Sequence, residues 1–78
     1  MNEFELEVYH NNTQFLFPAQ LIQMGYSYKI AVEVDGVKVL FEPDEERQFR
    51  ALVEEKDRQS IHVSLLQAIA IALHKALE

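Results

Sequence analysis

The stretch Tyr26-Ser27-Tyr28-Lys29-Ile30-Ala31-Val32-Glu33-Val34-Asp35-Gly36-Val37-Lys38-Val39-Leu40-Phe41-Glu42-Pro43 decides the fold, because Asp35-Gly36 divides two strand-like runs. A two-residue turn at Asp35-Gly36 pairs Val34 with Val37, Val32 with Val39 and Ile30 with Phe41 on one face. The same register sets Glu33 against Lys38 and Lys29 against Glu42 on the other face. A slip of one residue would destroy both opposite-charge couples, so turn chemistry, alternation and charge select one hairpin.

Working outward, Phe4, Leu6 and Val8 alternate with Glu3, Glu5 and Glu7, the period of a strand with one wet face. Asparagine tolerates the left-handed conformation, so Asn11-Asn12 reads as a second two-residue turn pairing Val8 with Phe15, Leu6 with Phe17 and Phe4 with Ala19. Pro18 offers no N–H to a ladder and must face an open edge or a bulge. Gln20 to Gly25 completes that strand, with a turn expected at Met24-Gly25. Beyond Pro43 the period changes. Asp44 fits an N-cap, Glu45 and Glu46 suit a helix N-terminus, and Phe49, Leu52 and Val53 form an i, i+3, i+4 stripe. A helix from about Glu45 to Lys56 is predicted. Asp57 to Ser60 is a polar connection.

Ser64 and Gln67 have capping-box spacing, with Val63 placed to staple against Ala68. The following helix puts Leu65, Leu66, Ile69, Ala72, Leu73, Ala76 and Leu77 on one face. The expected fold is therefore α+β in a single domain, residues 1–78. A four-stranded antiparallel β-meander of two hairpins precedes two α-helices, which pack on the Phe4, Phe15, Phe17, Ile30, Val32, Val39, Phe41 face.

The order Gly25-Tyr26, Phe41-Glu42-Pro43-Asp44-Glu45-Glu46, Phe49-Arg50-Ala51 and Leu65-Leu66-Gln67-Ala68-Ile69-Ala70 resembles a group of small bacterial α+β proteins with no assigned activity. The resemblance implies a stand-alone bacterial α+β domain and no functional residue.

Composition narrows the function classes. Nearly half of the 78 residues are apolar, enough for one core without disulfides or metal. The formal charge is −6, with an excess of three acids in each half, so neither end is a charged tail. Such a surface repels phosphate backbones and disfavours nucleic acid as a partner. The absence of cysteine removes thiolate chemistry and the usual structural zinc sites, and it suits a reducing cytoplasm. No basic region precedes an apolar run at the N-terminus, and the longest apolar stretch, Ala68 to Leu73, is too short for a bilayer. A cytoplasmic protein without membrane contact is expected.

Among chemistry-bearing residues, Glu42, Asp44, Glu45 and Glu46 are the densest carboxylates, but they lack the alternating ligands and loop glycine of an EF-hand. Pairing of Glu42 with Lys29 and capping by the others explain them. His10, His62 and His74 share no metal-ligand spacing. Ser27, Ser60, Ser64 and Thr13 lie in no nucleophile elbow. His62, two residues before Ser64, is not expected to point at it. No catalytic residue, cofactor or metal site is assigned, and the protein is read as a non-enzyme.

The apolar residues left outside the core say more. Leu16, Ala31 and Leu40 fall on the face opposite the helices, beside Tyr9, and Ile71 falls off the main helical stripe. These four form the expected interaction surface, for a protein partner or for a homodimer through the sheet's open face or an exposed edge. The alternative is a small-ligand or nucleic-acid site using Tyr26, Tyr28, Arg47 and Arg50, with Lys56 and Arg58 adding positive charge.

Overall fold

The computed structural model of the chain describes residues 2–54, 57 and 60–77. The strands are β1 (Glu3–His10), β2 (Thr13–Met24), β3 (Ser27–Val34), β4 (Val37–Pro43) and β5 (Phe49–Leu52), followed by α1 (Val63–Leu77). All neighbours are antiparallel, in the order β1-β2-β3-β4-β5.

Both turns that decide the pairing have the backbone their residues favour. Asn11 and Asn12 have φ of 52° and 61°, and Asp35 and Gly36 have 50° and 81°. Positive φ at both central positions is the type I′ requirement, whose twist matches that of the strands it joins. The registers follow: Val8 faces Phe15, Leu6 faces Phe17, Val32 faces Val39 and Ile30 faces Phe41. The β2–β3 turn lies one residue later than expected. It is formed by Gly25-Tyr26, with Met24 opposite Ser27 and positive φ at Gly25, the first central position, as a type II′ turn asks.

The expectation of four strands and two helices is corrected. Among the described residues there are five strands and one α-helix, and the segment read as a helix from Glu45 to Lys56 supplies a hairpin. Glu55 and Lys56 themselves lie outside the described residues. Asp44 is the cause. Its Oδ1 accepts the main-chain N–H groups of Glu46 at 2.8 Å and Gln48 at 2.9 Å. Its own N–H donates to the Gln48 carbonyl, and the Arg47 N–H returns to the Asp44 carbonyl. Arg47 then takes φ of 66°. A turn around Glu45-Glu46 followed by a left-handed residue is the common three-residue hairpin loop, and it sends Phe49–Leu52 back along β4. Phe49 and Ala51 turn inward while Arg50 and Leu52 turn outward, a period of two.

β2 carries the sheet's bend. Thr13–Gln20 pair with β1 and Ala19–Met24 pair with β3, so only Ala19 and Gln20 have partners on both sides. The Leu21 N–H donates to Asn2 of the β1 side, and alternation along the strand points the N–H position of residue 18 toward β3. The β2–β3 ladder ends at Ala19, so Pro18 occupies a place where no donor is required.

The helix touches both outer strands, β1 and β5. A flat five-stranded sheet would hold those strands about 19 Å apart, whereas a helix with its side chains is about 10–12 Å wide. The sheet therefore curls around α1. Phe41, Ile30, Val32, Val34, Ile69 and Leu73 are wholly buried at the centre of that wrap, with Leu6, Val8, Phe17, Val39 and Phe49 around them. Among the described residues no helix is long and apolar enough to cross a membrane.

Candidate interaction groove

β1 is the outermost strand on its side, and among the described residues β2 is the one strand paired with it. Because the Asn2 carbonyl is turned to β2, alternation directs the main-chain groups of Phe4, Leu6 and Val8 the same way. Those of Glu3, Glu5, Glu7 and Tyr9 point to the free edge. Side chains alternate as well: Leu6 and Val8 are buried, while Glu3, Glu5, Glu7 and Tyr9 are exposed. The Tyr9 hydroxyl donates to Glu7 Oε1 at 2.6 Å. That hydrogen bond, then the Glu7 charge, then slight desolvation raise the Tyr9 pKa above its ordinary value.

Between this edge and α1 runs a groove of about 520 Å³, floored by Leu6, Ala68 and Ala72 and rimmed by Glu5, Glu7 and Tyr9 from β1 and by Ile71 and Lys75 from the helix. Alanines at 68, 72 and 76 recur every fourth residue and so lie on one helix face. Their small side chains leave the space open. Ile71, beside them, is 57% exposed. That volume is within the range of recognition pockets.

The end of β1 is tied to the start of α1 by hydrogen bonds. The Ser64 N–H donates to His62 Nδ1 at 3.1 Å, so that nitrogen carries no proton. The Ser64 hydroxyl hydrogen-bonds the same imidazole at 2.8 Å and His10 Nε2 at 2.9 Å. The chain of hydrogen bonds runs from the end of β1, through Ser64, to the start of α1. His62 is the helix cap, since its carbonyl accepts the Leu65 and Leu66 N–H groups and its imidazole accepts that of Ser64. Two sequence expectations are corrected here. Ser64 lies inside the first turn rather than at the cap, and His62 does point at it, because capping requires the side chain to fold back over the following amides.

The four residues expected to form one surface are divided. Ala31 and Leu40 are cross-strand neighbours on the outer face, in a row that runs Gln20, Ala31, Leu40, Leu52. Ala31 is only 4% exposed and Leu40 is half-buried. Leu16 faces Glu7 on β1, four residues along β2 from Gln20, or about 13 Å at strand spacing. It does not join the row, because the bend in β2 carries it past the end of β3. Ile71 lies on the helix side of the sheet, in the groove whose rim Tyr9 reaches from the edge of β1. Leu52, 38% exposed, extends the outer row and was hidden from sequence reading by the helix expected there.

The basic and aromatic alternative is divided too. Tyr28 packs edge-on against Phe49, with ring centroids 6.4 Å apart, and shares a small depression with Asp44, Arg47 and His74. Tyr26 stands fully exposed at its turn. Arg50 is held by Glu42, its Nε donating at 2.6 Å, and Lys29 lies 3.8 Å from the same carboxylate. Lys56 and Arg58 lie outside the described residues. His74 Nδ1–H donates to the Arg47 carbonyl at 2.7 Å. Among the described residues no three metal-ligating side chains converge. Comparison with protein-family models, with curated proteins and with solved structures gave no match to this chain.

Proposed function

We propose that this chain is a non-catalytic protein-interaction module of the cytoplasm, receiving a partner at the free edge of β1 and the groove beside it. The observation that carries the reading is the juxtaposition of exposed apolar surface at Tyr9 and Ile71 with main-chain groups that pair with no described strand. An open strand edge supplies hydrogen bonds to any extended segment, and the adjoining pocket selects among segments by side chain. The Ser64 hydroxyl, which bonds both His10 and His62, supports this reading rather than a catalytic one, because its hydrogen bonds join the end of β1 to the helix start. Absence of cysteine fits the proposed compartment.

A photo-crosslinking side chain placed at Ile71 in the native cell tests the proposal against the outer face. A discrete adduct with another protein from position 71, and none from position 16, is the expected result. Equal adducts from both positions, or none from 71, would overturn it.

A further inference from the structure

We infer that the occupant of the β1 edge is an extended segment of another protein in which basic and apolar residues alternate. The inference rests on the interaction-module reading above and adds the chemistry of the partner. A strand that adds to β1 must place its side chains alternately on the two faces of the sheet. On the outer face its residues fall opposite Glu3, Glu5 and Glu7, where three exposed carboxylates recur at every second position. Lys or Arg at those places forms cross-strand pairs of opposite charge. On the inner face its residues fall beside Ala68, Ile71 and Ala72, where apolar side chains fill the groove.

The same carboxylates decide against a second copy of this chain. Two β1 strands meeting across a two-fold axis would oppose acids wherever the axis lies between Glu3 and Glu7. An axis at Glu5 sets Glu3 against Glu7 and Glu5 against itself, and an axis at Leu6 sets Glu5 against Glu7. Directly opposed like charges are destabilising, and the overall charge of −6 adds to the repulsion. The homodimer expected from the sequence is disfavoured at this edge for that reason.

The test uses three synthetic heptapeptides with blocked ends. One alternates Lys and Val, one alternates Glu and Val, and one carries the Lys–Val composition as a block of four Lys and a block of three Val. Binding is read by fluorescence anisotropy, and its place by amide shifts in the ¹⁵N spectrum of the intact chain. The expected result is that the alternating Lys–Val peptide binds about tenfold or more tighter than the other two and shifts the Glu3 to Tyr9 amides. Glu5→Lys should weaken it about tenfold, whereas Glu45→Lys, the same charge change in the β4–β5 loop, should leave it unchanged. Ile71→Glu, at an exposed position, should abolish it without unfolding the chain.

Equal binding of the two alternating peptides, both lost in Ile71→Glu, would overturn the basic partner while leaving the groove standing. Binding of the block peptide as tight as that of the alternating one, or binding retained in Ile71→Glu, would overturn the groove as well. Absence of binding by all three would overturn this inference, and crosslinking from position 71 would still judge the reading beneath it.

Discussion

Two aspartate-led turns flank β4, and they reverse the chain by different means. Asp35-Gly36 does so with backbone alone, two residues at positive φ. The turn from Asp44 to Gln48 does so with a side chain, whose carboxylate gathers two main-chain donors before Arg47 enters the left-handed region. The first turn needs glycine's freedom, and the second replaces it with hydrogen bonds. The first hairpin is therefore specified by its turn residues, and the second by the combined effect of Asp44 and the burial of Phe49.

Removing that burial is the strongest way to break the comparison. Phe49 is buried and meets Tyr28 edge to face. Phe49→Ala should cost about 3 kcal/mol, at the low end for such truncations because β5 is an outer strand. In a urea titration that loss would remove most of the stability of a chain this small. A cost near that of a surface substitution would show that β5 adds little to the core.

Asp44→Ala separates the two turns directly. Loss of two hydrogen bonds from a carboxylate at the surface should cost about 1–2 kcal/mol. The expected change is a fall in melting temperature, with the far-ultraviolet spectrum retaining its strand character. A gain of helical signal would mean that the segment after Pro43 reverts to the helix its periodicity suggests.

Gly36→Ala probes the other turn. A Cβ at residue 36 would meet nothing within 4 Å, so the cost arises from φ of +81° and not from collision. About 1 kcal/mol is expected, the left-handed penalty less the smaller conformational freedom of the unfolded alanine chain. An unchanged melting temperature would contradict the claim that this turn depends on backbone freedom.

These contrasts explain what the sequence could disclose. Asn11-Asn12 and Asp35-Gly36 were legible because few residues accept positive φ in succession, and the alternation on either side agreed with them. β5 was not, because an aspartate that accepts the amide two residues onward does so at a helix start and in a turn alike. Four residues, Phe49–Leu52, are too few for a period of two to outweigh an apparent helical stripe. At the candidate site, Ile71 could be recognised as lying off the helical stripe, and Glu3, Glu5 and Glu7 as one wet face. Their meeting across a groove could not, since it depends on the curl that brings both outer strands to α1. The outer patch failed for a related reason: the bend at Pro18 and Ala19 separates Leu16 from Ala31, and local pattern carries no record of it.

The smallest effect is expected at Arg47, and its sign is the informative part. Arginine at φ of 66° bears a left-handed cost of roughly 1 kcal/mol, which the Asp44 bonds hold in place. Glycine would remove that cost but would enlarge the unfolded ensemble, returning about 0.4–1 kcal/mol. The His74 bond is made to the main-chain carbonyl of residue 47 and survives the change. Arg47→Gly should therefore stabilise the chain by a few tenths of a kcal/mol, read as a small rise in the urea midpoint. Gly36→Ala and Arg47→Gly then move stability in opposite directions for the same backbone reason. A clear loss of stability in Arg47→Gly would instead assign the second turn to the arginine side chain, and Asp44 would no longer account for β5.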